Sequence, residues 1–156
     1  MATSMSEALS LSRASLGRAV ASAIEAMLDG DVVEVRPGPR EFTFASSIGI
    51  TGTHNATVVV RANAAATEHF AAAMFGSIDI DLTDAEIADA LLELTNVLGG
   101  AAKTAVGGEN LLMLPIVIPV DLTEADVRRA DNVICFAVRD CIVSVHVVDG
   151  APVASA

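Results

Sequence analysis

The sequence predicts an α+β fold: a mostly antiparallel sheet with helices packed on one face. Three observations carry this. Helical and strand-like stretches come in blocks, in the order helix, strands, helix, helix, strands, and not in the strict alternation of a parallel α/β chain. Two pairs of β-branched runs are each joined by a few turn-forming residues, which is the signature of hairpins. Of 156 residues, 53% are hydrophobic and 19% charged, enough apolar material for one buried core.

The elements follow in order. Residues 1–12 are expected to be disordered, residues 13–150 to form a single domain, and 151–156 to be a loose tail. Val20, Ile24, Met27 and Leu28 recur at helical spacing, so an amphipathic helix is predicted over 14–29, with Gly30 as its stop. "DVVEVRPGPR" gives a short strand ended by a Pro-Gly-Pro turn. "EFTFASSIGI" and "NATVVVRAN", separated by "TGTH", read as a hairpin in which Gly52 is free to take positive φ. "AAATEHFAAAMFG" is an alanine-rich helix stopped by Gly76. Thr83 followed by Glu86 is a capping-box pattern, and a helix of about six turns from that cap reaches Val106, where "GGEN" breaks it. "LLMLPIVIPV" is an extended apolar run, and "DLTEADVRRAD" a turn or short helix with Thr123 and Asp126 as a second capping pair. "NVICFAV" and "CIVSVHVV", joined at "RD", close the sheet.

Charge and composition exclude several classes. A net charge of −11, from 20 acidic and 9 basic residues, repels a phosphate backbone, so no nucleic-acid partner is expected. The apolar runs are far shorter than the roughly 20 residues a bilayer requires, and no basic segment followed by an apolar stretch opens the chain. A cytoplasmic protein without membrane attachment is expected. Cys135 and Cys141 match no metal signature and read as small buried thiols.

The helix over 86–106 carries the chemistry. At 100° per residue, Ile87, Ala88, Leu91, Leu92, Leu94, Leu98, Ala102 and Val106 share a broad core side. Asp89, Glu93, Asn96, Gly100 and Lys103 fall within an arc of roughly 80° on the other side. Glu93 and Asn96, at i and i+3, therefore point the same way, and Gly100 leaves bare backbone one turn beyond the amide. Gly99 and Gly100 together weaken this stretch by roughly 2 kcal/mol relative to alanine. A solvated polar stripe explains Asp89 and Lys103. The Glu-x-x-Asn-x-x-x-Gly conjunction is better explained by the close approach of another molecule.

"DALLELTNVLGGAAKT" resembles the signature of the CheX/CheC/FliY family of response-regulator phosphatases: E-x-x-N in a helix, with a glycine four residues after the asparagine. Glu93, Asn96 and Gly100 occupy those places, and "DAL" at 89–91 fits the lead-in. Upstream, "SSIGITGTHNATVVVRANAAATEHFAAAMFG" is similar to the family's hairpin and helix, and downstream "LLMLPIVIPV" is similar to its apolar strand. One E-x-x-N helix is present, which looks more like CheX than like CheC, whose pattern repeats. Ala56 stands where the hairpin usually has a second glycine, and "PIVIP" replaces paired prolines.

The resemblance implies a CheC-like fold and a phosphatase acting on the phospho-aspartate of a CheY-type receiver. Asn96 would orient the attacking water and Glu93 would pair with the receiver's lysine. Asp89, Gly100 and Lys103 would line the partner surface. No cofactor of its own is implied; Mg2+ is expected on the receiver. A homodimer through edge strands is implied as well. The alternative is a non-catalytic receiver-binding or assembly module of the same fold.

Other groups read as structural. His54, His69 and His146 lack ligand spacing with nearby carboxylates. Ser144 beside His146 has no nucleophile elbow. "GGEN" has no preceding strand and no following lysine, so it is not a phosphate loop. "DIDLTD" lacks the glycine and terminal glutamate of a Ca2+ loop, and Arg128 and Arg129 read as surface charges.

Overall fold

The computed structural model describes residues 13–36, 42–76, 82–122 and 133–149. The expected disorder of 1–12, the tail at 151–156, the Pro-Gly-Pro turn, the Thr123–Asp126 pair, the first half of "DIDLTD", and Arg128 and Arg129 lie outside these residues. Within them the chain forms helix α1 (Arg13–Leu28), strands β1 (Val33–Val35), β2 (Phe44–Gly52) and β3 (Ala56–Ala62), and helix α2 (Ala64–Phe75). Helix α3 (Asp84–Val106) and strands β4 (Asn110–Leu112), β5 (Ile116–Ile118), β6 (Ile134–Val138) and β7 (Cys141–Asp149) complete it. The block order expected from the sequence is the order observed.

The strands form one sheet in the order β1-β6-β7-β3-β2-β4, with β5 also on β2, and every pairing is antiparallel. The hairpin predicted around "TGTH" is in register from Phe44 opposite Ala62 to Ile50 opposite Ala56. Gly52 has φ +139, and a Cβ there would run into the Glu109 carbonyl, so only glycine fits. The apolar run after α3, expected as one extended stretch, splits into two short strands that both pair with β2. Pro115, which has no N–H to donate, sits in the gap, and the Met113 N–H reaches the Gly49 carbonyl at 2.8 Å just before it.

Alternation along the strands divides the sheet into two faces. Ile48, Ile50, Val58, Val60, Val143, Val145, Ile134 and Phe136 join the helix-side core, together with Leu16, Val20 and Ile24 of α1 and Leu91, Leu94 and Leu98 of α3. Each such aliphatic side chain contributes about 1.5–3 kcal/mol on burial. Ala45, Val59 and Ile118 form a small separate cluster on the opposite face. Helix α3 packs on β2 and β3 and touches both α1 and α2. No helix among the described residues is long and apolar enough to cross a membrane.

Local chemistry fixes the helix ends where the sequence placed them. Thr83 accepts from the Glu86 N–H at 3.2 Å, and Glu86 Oε1 accepts from the Thr83 N–H at 3.1 Å, closing the capping box. Asn63 caps α2 through the Ala66 N–H at 2.9 Å, and Gly76 ends it in the left-handed conformation at φ 74. Beyond α3, Asn110 is buried: its Oδ1 accepts from the His54 N–H at 2.9 Å and its Nδ2 donates to the Gly107 carbonyl at 3.0 Å. "GGEN" is therefore a tether between the end of α3 and the β2–β3 turn.

Candidate functional site on helix α3

The site begins with how α3 is seated. Thr95, inside the Glu-x-x-Asn motif, is completely buried, as is Ser46 of β2. The Thr95 hydroxyl donates to the Leu91 carbonyl at 2.7 Å, so in the hydrogen bond between the two hydroxyls Ser46 is the donor. One turn further along, a Cβ on Gly99 would come within 2.6 Å of Ile48 Cγ2. Thr95 and Gly99 are four apart on the helix, while Ser46 and Ile48 are two apart on the strand. These spacings match in length, about 6 Å on the helix and 6.5–7 Å on the strand. Helix and strand thus meet at two successive points, which sets both the rotation and the height of α3.

That rotation turns the other flank outward. Glu93 and Asn96 are both exposed, and at i and i+3 their Cβ atoms lie about 5–6 Å apart. Asp89 is exposed one turn toward the N-terminus, and Gly100 and Lys103 are half-buried toward the C-terminus. The five residues placed on one arc from the sequence do share one flank. The core side is broader than the wheel suggested. Ala90, Thr95 and Gly99 are buried, whereas Ile87, Ala88, Leu92 and Val106 are only partly so, because α1, α2 and the sheet cover α3 from several directions.

The two glycines have different reasons. Gly99 permits close contact with the sheet. Among the described residues, a Cβ on Gly100 would touch only Leu112 Cδ1, at 3.9 Å, an ordinary contact, so none of them requires glycine there. Sequence reasoning missed the Ser46–Thr95 contact, the capping of α2 by Asn63 and the Asn110 tether; a buried threonine inside a polar motif is the one local hint of the first.

The remaining candidates have structural surroundings. Ser144 and His146 are both buried on the sheet face opposite the helices, and the Arg61 guanidinium reaches Ser144 Oγ at 3.2 Å while stacking over Phe42 at 4.2 Å. Cys135 and Cys141 are both buried, are not joined in a disulfide, and face opposite sides of the sheet.

Residues 44–139 match the family model described as chemotaxis phosphatase CheX. No curated protein sequence matches the chain. Among solved structures, the CheX of a CheX–CheY–BeF3–Mg2+ complex from Borrelia burgdorferi is similar with a TM-score of 0.70 and 16% identity, over 89% of this chain and 97% of that one. A CheX from Desulfovibrio desulfuricans is similar at TM-score 0.66 and 19% identity, over 89% and 99% of the two chains. The fold extends further: the FliM–SpeE complex from H. pylori matches at TM-score 0.58 and 10% identity, over 92% and 88%.

Proposed function

Because the chain belongs to the CheX family of chemotaxis phosphatases, we propose that it hydrolyses the aspartyl phosphate of a CheY-type receiver and uses Glu93 and Asn96 to do so. The observation that carries this is the exposure of both side chains, side by side, on a flank whose Gly100 is not explained by packing among the described residues. Hydrolysis requires a water in line with the P–O bond to the aspartyl carboxylate. Positioning and electrostatics supply most of the acceleration in phosphoryl transfer. A carboxamide suits the task, since its oxygen accepts a hydrogen bond from water and its NH2 donates. Asn96 therefore orients the water. Glu93 accepts a hydrogen bond from the receiver's lysine and fixes the register of the two proteins. Asp89, Gly100 and Lys103 border the contact.

The reaction takes place in the cytoplasm and draws no metal from this chain at α3. Mg2+ is expected on the receiver, and the Mg2+ in the Borrelia complex supports that reading. A homodimer through the β4–β5 edge is part of the same proposal. Leu111, Met113, Leu114, Ile116 and Val117 are exposed along that edge, and apolar edges of this kind pair with another strand. Leu114, 86% exposed, is the residue to change. The native chain is expected to be dimeric in light scattering and Leu114→Glu largely monomeric; a monomeric native chain sinks this part.

Phosphate release from a phosphorylated receiver tests the function. The native protein is expected to accelerate release, Asn96→Ala to abolish most of the acceleration while still binding the receiver, and Glu93→Ala to weaken binding as well. A second reading, a receiver-docking or assembly module without hydrolysis, is favoured by the structural similarity to FliM. Binding without any acceleration of release would establish that reading instead.

A further inference from the structure

Apart from α3, a second group of chemistry-bearing side chains is assembled by the fold. His69 of α2, Asp140 at the β6–β7 turn and Cys141 at the start of β7 bring one donor atom each to within 4.8 Å of one another. His69 Nε2 lies 3.9 Å from Asp140 Oδ1, and Cys141 Sγ lies 3.8 Å from the same carboxylate. Around a tetrahedral zinc ion with bond lengths of 2.0–2.3 Å, donor atoms sit about 3.3–3.7 Å apart. Two edges of the triangle need only a few tenths of an ångström, and the third at most about 1 Å.

The scaffold under this triangle is rigid. Asn63 bonds α2 and the hairpin together: its Oδ1 accepts from the Ala66 and Ile142 N–H groups at 2.9 and 3.0 Å, and its Nδ2 donates to the Asp140 carbonyl at 2.9 Å. The Asn63 N–H also reaches the Ile142 carbonyl at 3.1 Å. The helix bearing His69 and the turn bearing the other two donors are therefore held in one register. The thiol is buried and fixed, while the imidazole and carboxylate, 40% and 73% exposed, are free to adjust. We propose that His69, Asp140 and Cys141 form a binding site for a divalent transition metal of the zinc class, open to water at a fourth position.

The donor set selects that class. A thiolate excludes Mg2+ and Ca2+, which require oxygen ligands, and imidazole with thiolate suits zinc or its close analogues. An ion pair between His69 and Asp140 alone contributes little at the surface and leaves the thiol unexplained. A reactive cysteine is also the wrong reading. The Cys141 thiol is buried and lies 3.8 Å from the Asp140 carboxylate, surroundings that disfavour a free thiolate nucleophile. A cation is what replaces a thiol proton beside a carboxylate.

Cobalt titration of the full chain, stripped of metal, tests the site. One equivalent is expected to produce a thiolate-to-cobalt charge-transfer band that Zn2+ then removes by displacement. Cys141→Ser is expected to abolish the band. His69→Gln, a polar-for-polar change at a half-buried position of α2, is expected to weaken cobalt binding at least tenfold. Cys135→Ala, on the other face of the sheet, is expected to leave the band intact. Absence of the band in the native chain, its persistence in Cys141→Ser, its loss in Cys135→Ala, or unchanged affinity in His69→Gln overturns the proposal.

Discussion

The two flanks of α3 carry polar residues and glycine in nearly the same stretch of sequence, yet they answer to different partners. On the inner flank, Thr95 and Gly99 meet Ser46 and Ile48 of β2, and each departure from an ordinary helix residue is repaid by a contact inside the chain. On the outer flank, Glu93 and Asn96 stand in solvent and Gly100 weakens the helix with no neighbour among the described residues that needs it. A destabilising residue that packing explains says nothing about function. One that packing leaves unexplained points to something outside the chain. The contrast between Gly99 and Gly100, adjacent in sequence, makes that distinction testable at two neighbouring positions.

The sharpest break between the flanks is expected from exchanging the polar side chains on each. Asn96→Ala removes the proposed water-orienting group and should lower turnover on the order of 10²-fold, since misplacing a reactant by about an ångström has effects of that size. That equals about 2.7 kcal/mol of barrier. Because Asn96 is exposed, its thermal midpoint should not fall. Thr95→Val should do the reverse. It keeps the shape but leaves the buried Ser46 hydroxyl without its acceptor, which costs about 1–3 kcal/mol of stability. Urea denaturation reads this directly, and Thr95→Ser, which restores a hydroxyl, should recover most of it. Equal stability of Thr95→Val and the native chain would mean that the hydroxyl contact does not seat the helix.

Gly99→Ala comes next in size. Alanine gains about 1 kcal/mol in helix propensity. Against this, its Cβ would come within 2.6 Å of a branched methyl on Ile48, and overpacking of this kind costs about 1–3 kcal/mol. A net loss of about 1 kcal/mol is expected, visible as a lower denaturation midpoint. The variant Gly99→Ala combined with Ile48→Val keeps that methyl, so it should not rescue the loss, whereas Ile48→Ala should relieve the contact.

How much of this was legible in the sequence follows from how many bodies each feature involves. The outer flank was readable because an exposed stripe needs only the helix's own period: Asp89, Glu93, Asn96, Gly100 and Lys103 fall on one arc whatever packs behind them. The capping box at Thr83 and the left-handed stop at Gly76 were readable for the same reason, being local. The Ser46–Thr95 contact joins residues 49 apart, and nothing in either segment names the other. The His69–Asp140–Cys141 grouping is more remote still, since it depends on Asn63 fixing a helix to a hairpin. Histidine spacing along the chain carries no trace of it. The split of "LLMLPIVIPV" into two strands could have been anticipated from Pro115, but that both would pair with β2 depends on where β2 lies in the sheet.

The smallest effect is the most discriminating. At Gly100 the backbone is helical and, among the described residues, an added Cβ meets only Leu112 at ordinary distance, so Gly100→Ala should stabilise the fold by up to about 1 kcal/mol. If the outer flank were simply solvated, that gain would come without loss, and phosphate release would be unchanged. If a receiver docks against bare backbone beside Asn96, the methyl stands between the two proteins, and turnover should fall while stability rises. A rise in thermal midpoint with a several-fold drop in receiver-phosphate release separates the two cases in one variant. Gly99→Ala, its neighbour, must show the opposite sign in stability. Should both glycines respond alike, the division of α3 into an inner flank made for the sheet and an outer flank made for a partner fails, and with it the reason for placing the chemistry at Asn96.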